Sequence, residues 1–252
     1  MPGTIRGWDL ALDRFGSEPL SELLQPSIQL ADRGFTVDQI YRDQTLQNLD
    51  RFRDFTSTRE TFLKNGQAPA VGSRFRNPDL AATYGRIAAG GEGAFYSGTT
   101  ARAIVDTVRN PPVVAGATRN VRPGLMKTKD LADYHSLERA PTVSSYRGLQ
   151  VYGMGPPSSR GSTVGEALNI LEGYPMMTLA RDDALHYYLE ASRYSFADRG
   201  ASLGDPDYVY VPLKDLLSDD FATERRSLIK EQAAAEPVRR GGGSALVENP
   251  AP

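Results

Sequence analysis

The 252-residue chain is 40% hydrophobic and 24% charged, with 24 Gly, 17 Pro and no Cys, an ordinary globular composition with enough apolar material for a sizeable core. Its 29 Lys and Arg against 31 Asp and Glu leave a net charge of -2, too nearly balanced to draw in a nucleic-acid backbone or an anionic membrane surface. The lack of Cys excludes disulfides, thiolate zinc sites and cysteine nucleophiles, and two His are too few for a His-rich metal centre, so neither metal nor cofactor is expected.

The N-terminal third reads as short helices between turn signals. Trp8, Leu10, Ala11, Leu12 and Phe15 form the first pattern, stopped by Gly16. Leu20, Leu23, Leu24, Ile28 and Leu30 continue at mixed helical spacing, and Pro26 inside them predicts a kink or two short helices, closed by Gly34 as a C-cap. The polar stretch from Asp38 to Arg59 carries Ile40, Leu46, Leu49 and Phe52 and is expected to be helical with an exposed face. Asn77-Pro78-Asp79 is a strong helix start: Asn caps free amides, Pro is pre-set for the first turn and Asp complements the dipole. That helix should run to about Ala89, bury Leu80, Tyr84, Ile87 and Ala88, and end at Gly90-Gly91. Two more helical pieces follow at 94–96 and 101–108, then an irregular surface excursion over 110–122.

Farther along, Thr142 to Tyr146 and Leu149 to Tyr152 flank Arg147-Gly148, the pattern of a hairpin with β-branched and aromatic faces. The loop Gly155 to Gly161 leads into a helix over about 162–172 with Val164, Leu168, Ile170 and Leu171. Leu185, Tyr188, Leu189, Ser192 and Phe196 mark the face of a longer helix ending near Gly200 to Gly204, and Leu213, Leu216, Leu217, Phe221, Leu228 and Ile229 close the ordered part. Residues 235–252, with three consecutive Gly and two late Pro, have the composition of a flexible linker. No apolar run approaches the roughly 20 residues that span a bilayer, and Met1-Pro2-Gly3 is no secretion leader.

Few constellations offer chemistry. Ser159 and Ser162 stand where they would cap the following helix or leave its amides for an anion. Asp198-Arg199 with Gly204-Asp205-Pro206-Asp207 reads either as an acid/base or cation site or as a helix end with Asx turns and a local Asp/Arg pair. His135 and His186 have no third ligand at metal spacing, and neither GxxxxGK[ST] nor GxSxG occurs.

As ordered blocks the chain resembles the large subunit of the γ-glutamyltransferase (γ-glutamyltranspeptidase) family of the N-terminal-nucleophile hydrolase superfamily. The blocks are Pro2-Gly3-Thr4, Pro26 to Gly34-Phe35, Asn77-Pro78-Asp79-Leu80-Ala81, Ala94-Phe95-Tyr96-Ser97-Gly98, Asp130-Leu131-Ala132-Asp133-Tyr134 and Glu138-Arg139-Ala140-Pro141. Tyr146-Arg147-Gly148, Pro156-Pro157-Ser158-Ser159, Leu168 to Gly173, Phe196-Ala197-Asp198-Arg199 and Leu203 to Asp207 complete the series. Arg160 stands where the family usually has Gly, which questions the backbone path of that loop.

The resemblance implies an α+β chain, a mainly helical fragment of the superfamily's αββα sandwich with a hairpin near 142–153. Residues 1–234 would be large-subunit segment and 235–252 the linker before the small subunit. Family members are proenzymes that cleave themselves before a Thr, which then takes the γ-glutamyl group of glutathione as an acyl-enzyme. No Thr-Thr-His occurs here, and no catalytic or substrate-binding residue carries over. Pro156, Pro157, Ser158, Ser159, Gly204, Asp205 and Pro206 carry over as site-supporting residues. The small subunit of the same precursor is the implied partner, glutathione or another γ-glutamyl compound the substrate of the complete enzyme, and the periplasm or cell exterior the implied location. Alternatives are a catalytically dead binding or structural remnant, or a fragment of a cephalosporin-acylase-like relative.

Overall fold

A computed structural model describes residues 2–117, 119–233 and 238–241, and resolves the chain into two compact units, Met1–Leu137 and Glu138–Pro252. The described residues are mainly helical, with two small antiparallel two-stranded sheets, in agreement with the expected fold class.

Unit 1 contains helices α1 (Thr4–Phe15), α2 (Leu20–Leu23), α3 (Gln25–Arg33), α4 (Gln39–Gln47), α5 (Leu49–Arg53), α6 (Thr56–Phe62), α7 (Pro78–Gly90), α8 (Gly93–Tyr96), α9 (Gly98–Arg109) and α10 (Thr128–Ala132). Pro26 resolves the ambiguous second pattern into two helices, because it sits in the first turn of α3, where its missing N–H costs nothing. Gly34 closes α3 at φ 79°, and its strand neighbours β1 (Phe35–Thr36) and β2 (Arg74–Phe75) form a two-residue ladder that the sequence pattern is too short to announce. Asn77 caps α7 by accepting from the Leu80 amide at 3.0 Å, and Gly91 ends it at φ 64°. Ile87 is buried as expected, but Leu80 is exposed: it lies in the first turn, beyond the core of Ile5, Leu24, Ile87, Tyr96, Ala101, Val105 and Leu131.

Blocks far apart in sequence meet inside unit 1. The Tyr96 hydroxyl donates to the Pro2 carbonyl at 2.7 Å and accepts from the Arg6 amide at 3.3 Å. Arg6 lies over the Tyr96 ring and pairs with Glu92 at 2.7 Å, while Tyr134 stacks on Tyr96. A Cβ at Gly3 would come within 2.2 Å of the Tyr134 hydroxyl, so any other residue there would have to push that ring aside.

Unit 2 contains the hairpin β3 (Thr142–Tyr146) and β4 (Leu149–Gly153) and helices α11 (Arg160–Glu172), α12 (Arg181–Ser202), α13 (Leu213–Leu216) and α14 (Asp219–Leu228). The turn is Arg147-Gly148 with φ 54° and 77°, the two left-handed residues that match hairpin twist. The end of β4 meets the start of α11 backbone to backbone: a Cβ on Gly153 would lie 2.5 Å from the Gly161 Cα, and one on Gly161 would lie 2.6 Å from the Met154 carbonyl. Close approach requires small residues there, and α11 accordingly buries Gly161, Ser162, Thr163 and Gly165. Val164 points outward, against expectation, because the small residues and not the bulky ones face the hairpin. Arg226 of α14 donates to the Asn169 and Ile170 carbonyls at 2.9 Å each, satisfying the C-terminal end of α11.

Helix α12 reverses the expected burial. Its apolar stripe of Leu185, Tyr188, Leu189 and Phe196 is 46%, 54%, 56% and 61% exposed, while Glu190, Ala191, Tyr194, Ser195 and Asp198 face the unit's interior. Both sets recur at helical spacing, on opposite faces. The inner face is polar yet paired: Arg193 donates to Glu190 at 2.6 Å, the Ser195 hydroxyl to the Ser192 carbonyl at 3.0 Å, and Asp198 meets Arg225. The expected apolar contact of that stripe is therefore absent from the described residues. Changing Leu185, Leu189 and Phe196 together to Ser should lower binding of a hydrophobic dye at least several-fold. Each change should alter stability by no more than about 0.5 kcal/mol, as surface substitutions do. Dye fluorescence and urea unfolding check both; a large loss of stability would place the stripe in a core.

Candidate functional site

The residues carried over as site-supporting fall at two places in unit 2. Pro156 is buried, Ser158 and Ser159 are half-buried, and the loop Pro156 to Ser159 leads directly into α11. Ser159 occupies the N-cap position without a side-chain capping bond, and the Ser162 hydroxyl donates back to the Ser159 carbonyl at 3.3 Å. Neither serine therefore caps the helix as anticipated; the nearest substitute is the Ser158 hydroxyl, 3.4 Å from the Arg160 amide. Arg160 takes the first helical position with no positive φ, so the departure from Gly leaves the backbone unstrained.

The second place is the turn Gly204-Asp205-Pro206. Asp205 accepts from the Asp207 amide at 3.1 Å in an Asx turn, and Arg139 reaches across to Asp207 at 2.5 Å and Asp205 at 3.4 Å. A Cβ on Gly204 would lie 2.5 Å from Val209. The two aspartates are thus engaged by a guanidinium, and those contacts raise the Arg139 pKa above its ordinary value. Asp198 is not part of this turn. It points into the interior, and its sequence neighbour Arg199 lies outside over the Phe196 ring, so the local Asp/Arg pair expected from FADR does not form.

Asp198 forms instead the most buried ionic cluster of the unit. Asp198, Arg225 and Glu166 are 0%, 1% and 1% exposed. Arg225 presents both arms of its fork, Nε to Asp198 Oδ2 at 2.7 Å and Nη2 to Asp198 Oδ1, and its guanidinium lies 5.2 Å from the Phe221 ring centre and 5.3 Å from that of Tyr194. Glu166, projecting from α11, meets Asp198 carboxyl to carboxyl. Burial first, and the Asp198 charge second, push the Glu166 pKa up to about 9, so at neutral pH it holds a proton and donates it to Asp198. Burial also raises Asp198 above the usual aspartate value, against the pull of Arg225. One proton, one carboxylate and one guanidinium make the cluster neutral, the condition under which buried charges are tolerated.

The sequence pattern missed this cluster. Asp198 stood out as part of a turn, and neither Glu166 nor Arg225 stood out at all, because the three lie on three helices. The one available signal was the tension within α12, where acids and serines recur at core spacing opposite a bulky apolar stripe. Elsewhere, His186 Nε2 meets the Lys230 carbonyl at 2.6 Å, and no group of three or more His, Asp or Glu that could hold a metal occurs among the described residues. In unit 1 a cavity of about 380 Å³ lies at the start of α9, lined by Arg86, Gly90, Ala94, Ser97 and Gly98 among others.

The cluster has a definite pH signature. Folded Glu166 keeps its proton to about pH 9, whereas unfolded it releases it near 4.5. Between those values the unfolded state binds fewer protons, so stability falls as pH rises, by at most about 1.4 kcal/mol per pH unit. Glu166→Gln, which imitates the neutral acid, should flatten that decline and be the more stable protein at pH 8. Urea midpoints from pH 5 to 8 test this, and parallel profiles for the two proteins would contradict it.

The gamma-glutamyltranspeptidase family model matches residues 1–249. Over 237 residues, 93% of this chain and 39% of the relative, the chain is 37% identical to the glutathione hydrolase proenzyme of Pseudomonas sp. (strain A14). It is equally 37% identical to the acylase ACY 1 proenzyme of Pseudomonas sp. (strain SE83), over 96% of this chain and 42% of that protein. Among solved structures, Helicobacter pylori gamma-glutamyltranspeptidase matches with a TM-score of 0.85 at 29% identity, covering 97% of this chain and 68% of that one. Cephalosporin acylase from Bacillus halodurans matches with a TM-score of 0.80 at 29% identity, over 92% and 42% of the two chains. The chain thus spans about two fifths of the length of these curated relatives. With the ordered motif blocks, their mutual contacts and the match over nearly every residue, the chain belongs to the gamma-glutamyltranspeptidase family.

Proposed function

We propose that the chain is large-subunit segment of an enzyme that hydrolyses or transfers the γ-glutamyl group of glutathione or a related γ-glutamyl compound. The observation that carries this reading is the family match across almost the whole sequence. In the proposed reaction a Thr hydroxyl, its proton taken by the same residue's α-amine, attacks the γ-glutamyl carbonyl; the amine of the remaining dipeptide leaves, and water or an acceptor amine resolves the acyl-enzyme. None of those reacting groups is assigned to a residue of this chain. Its part is to supply the helical scaffold and to position the segment that leads to the processing point.

The small subunit of the same precursor is the proposed partner. The exposed apolar stripe of α12 supports this, since Leu185, Leu189 and Phe196 form the kind of face that is ordinarily covered. The Pro156 to Ser159 loop and the Gly204 to Pro206 turn are proposed as supports of the site; their bonds are all to protein groups of the same unit. Residues 235–252 are proposed as the linker; within it only 238–241 are described, the others lying outside the described residues.

A second reading, an acylase acting on a cephalosporin side chain, is favoured by one observation: the acylase relatives match as well as the glutathione hydrolases do. The product of the whole reading frame that encodes these residues separates the two. It should release nitroaniline from a γ-glutamyl anilide at an enzymatic rate and far faster than it deacylates a glutaryl cephalosporin, while the 252-residue chain alone should release none. Preference for the cephalosporin would favour the acylase reading. Turnover by the isolated chain would show that the reacting groups lie within it and refute the placement argued above.

A further inference from the structure

The buried ion pair does more than join two helices. Residues 238–241, far beyond the end of α14 in sequence, are seated on it. The Gly241 amide donates to Asp198 Oδ1 at 2.6 Å, the same oxygen that receives Arg225 Nη2, and Arg225 Nη2 lies 3.4 Å from the Arg239 carbonyl. Val238 packs against the apolar cluster of Ile170, Ala191, Tyr194, Ala222 and Ile229. Gly241 is itself buried, and a Cβ there would lie 2.6 Å from the Phe221 ring and 3.0 Å from Arg225 Nη2. Between these two anchored residues Arg239 and Arg240 face solvent.

We propose that Asp198, held by Arg225, is a positioning residue that fixes the register of the Val238–Gly241 strap and thereby places the chain leading to the processing point. The inference rests on the reading of this chain as part of a self-processing precursor. Its physical core does not. A carboxylate inside protein that accepts a backbone N–H makes a short, charge-assisted bond, and such a bond selects one amide where an apolar seat would accept a slipped neighbour. A Cβ at position 241 would crowd Phe221 and Arg225, so a slip that brings Arg240 there forces those side chains to move, while a slip the other way, which would seat Gly242, would put Arg239 in the apolar seat of Val238. Register matters to a self-cleaving chain because an intramolecular attack depends on the scissile bond being held at reacting distance and angle. A fixed point upstream of that bond removes freedom that would otherwise be spent in search.

The pair also answers why an ionic group lies at the centre of the unit. Removing either partner strands a buried charge, so the pair resists loss once formed, yet well-packed apolar residues would stabilise the helices equally well. What apolar residues lack is an acceptor for the Gly241 amide.

The test uses three measurements and three variants. In the 252-residue chain, hydrogen exchange of the Gly241 amide and trypsin cleavage after Arg239 and Arg240 report the anchor directly. Gly241→Ala leaves Asp198 and Arg225 intact and unseats the strap; it should raise both rates about tenfold or more while exchange in α12 stays unchanged. Asp198→Asn should do the same to the strap but also loosen α12 and α14. In the product of the full reading frame, Gly241→Ala should slow self-cleavage at least about tenfold, whereas the exposed change Arg240→Gln should leave it near the wild-type rate. A wild-type Gly241 amide that exchanges as fast as a free peptide would overturn the anchor. Protection that is lost in Gly241→Ala with unaltered self-cleavage would overturn the positioning role. If the wild-type product never processes, the precursor reading fails while the exchange data still decide the anchor.

Discussion

Everything distinctive in the second unit depends on keeping one aspartate charged where water cannot reach it. Asp198 is fully buried, and donors from three residues make that possible: the two arms of the Arg225 fork, the proton of Glu166 and the amide of Gly241. Each comes from a different segment, so satisfying a single carboxylate gathers α11, α12, α14 and the 238–241 strap at one point. The aromatic faces of Tyr194 and Phe221 complete the shell around the guanidinium, replacing water with polarizable ring surface.

The same requirement explains the reversed burial of α12. A 22-residue helix with apolar residues on two faces can be packed either way round. Turning the bulky stripe inward would expose Asp198, Glu190 and Ser195 but strand Arg225 in the interior without a counter-charge, which is the costlier arrangement. Turning the polar face inward satisfies every member of the pair and leaves Leu185, Tyr188, Leu189 and Phe196 as a surface that another polypeptide can cover. Glycines at 153, 161 and 165 belong to the same economy of space, since they let the hairpin close on α11.

Much of the local architecture was legible in the sequence because its causes are local. Asn77-Pro78-Asp79 set the start of α7, Gly34 and Gly91 set helix ends by their left-handed backbone, and Arg147-Gly148 set the hairpin turn. The short β1–β2 ladder was not legible, since two residues carry no period, and neither was the orientation of α12, since side-chain bulk and burial part company when paired polar groups occupy the interior. The motif blocks were visible as a family resemblance long before their contacts were. Tyr96 holding Pro2, and Arg139 holding Asp205 and Asp207, show those blocks to be partners of one another across the chain, a relation that no spacing along it expresses.

The central claim is that Glu166 is a neutral acid at neutral pH, first because it is buried and second because Asp198 beside it carries the charge. Infrared difference spectroscopy of the carboxyl stretch tests it without reference to stability or activity. The account predicts a protonated-carboxyl band that persists through pH 7, shifts on deuteration and is missing from Glu166→Gln. A spectrum at pH 7 containing only ionised carboxylates would contradict it.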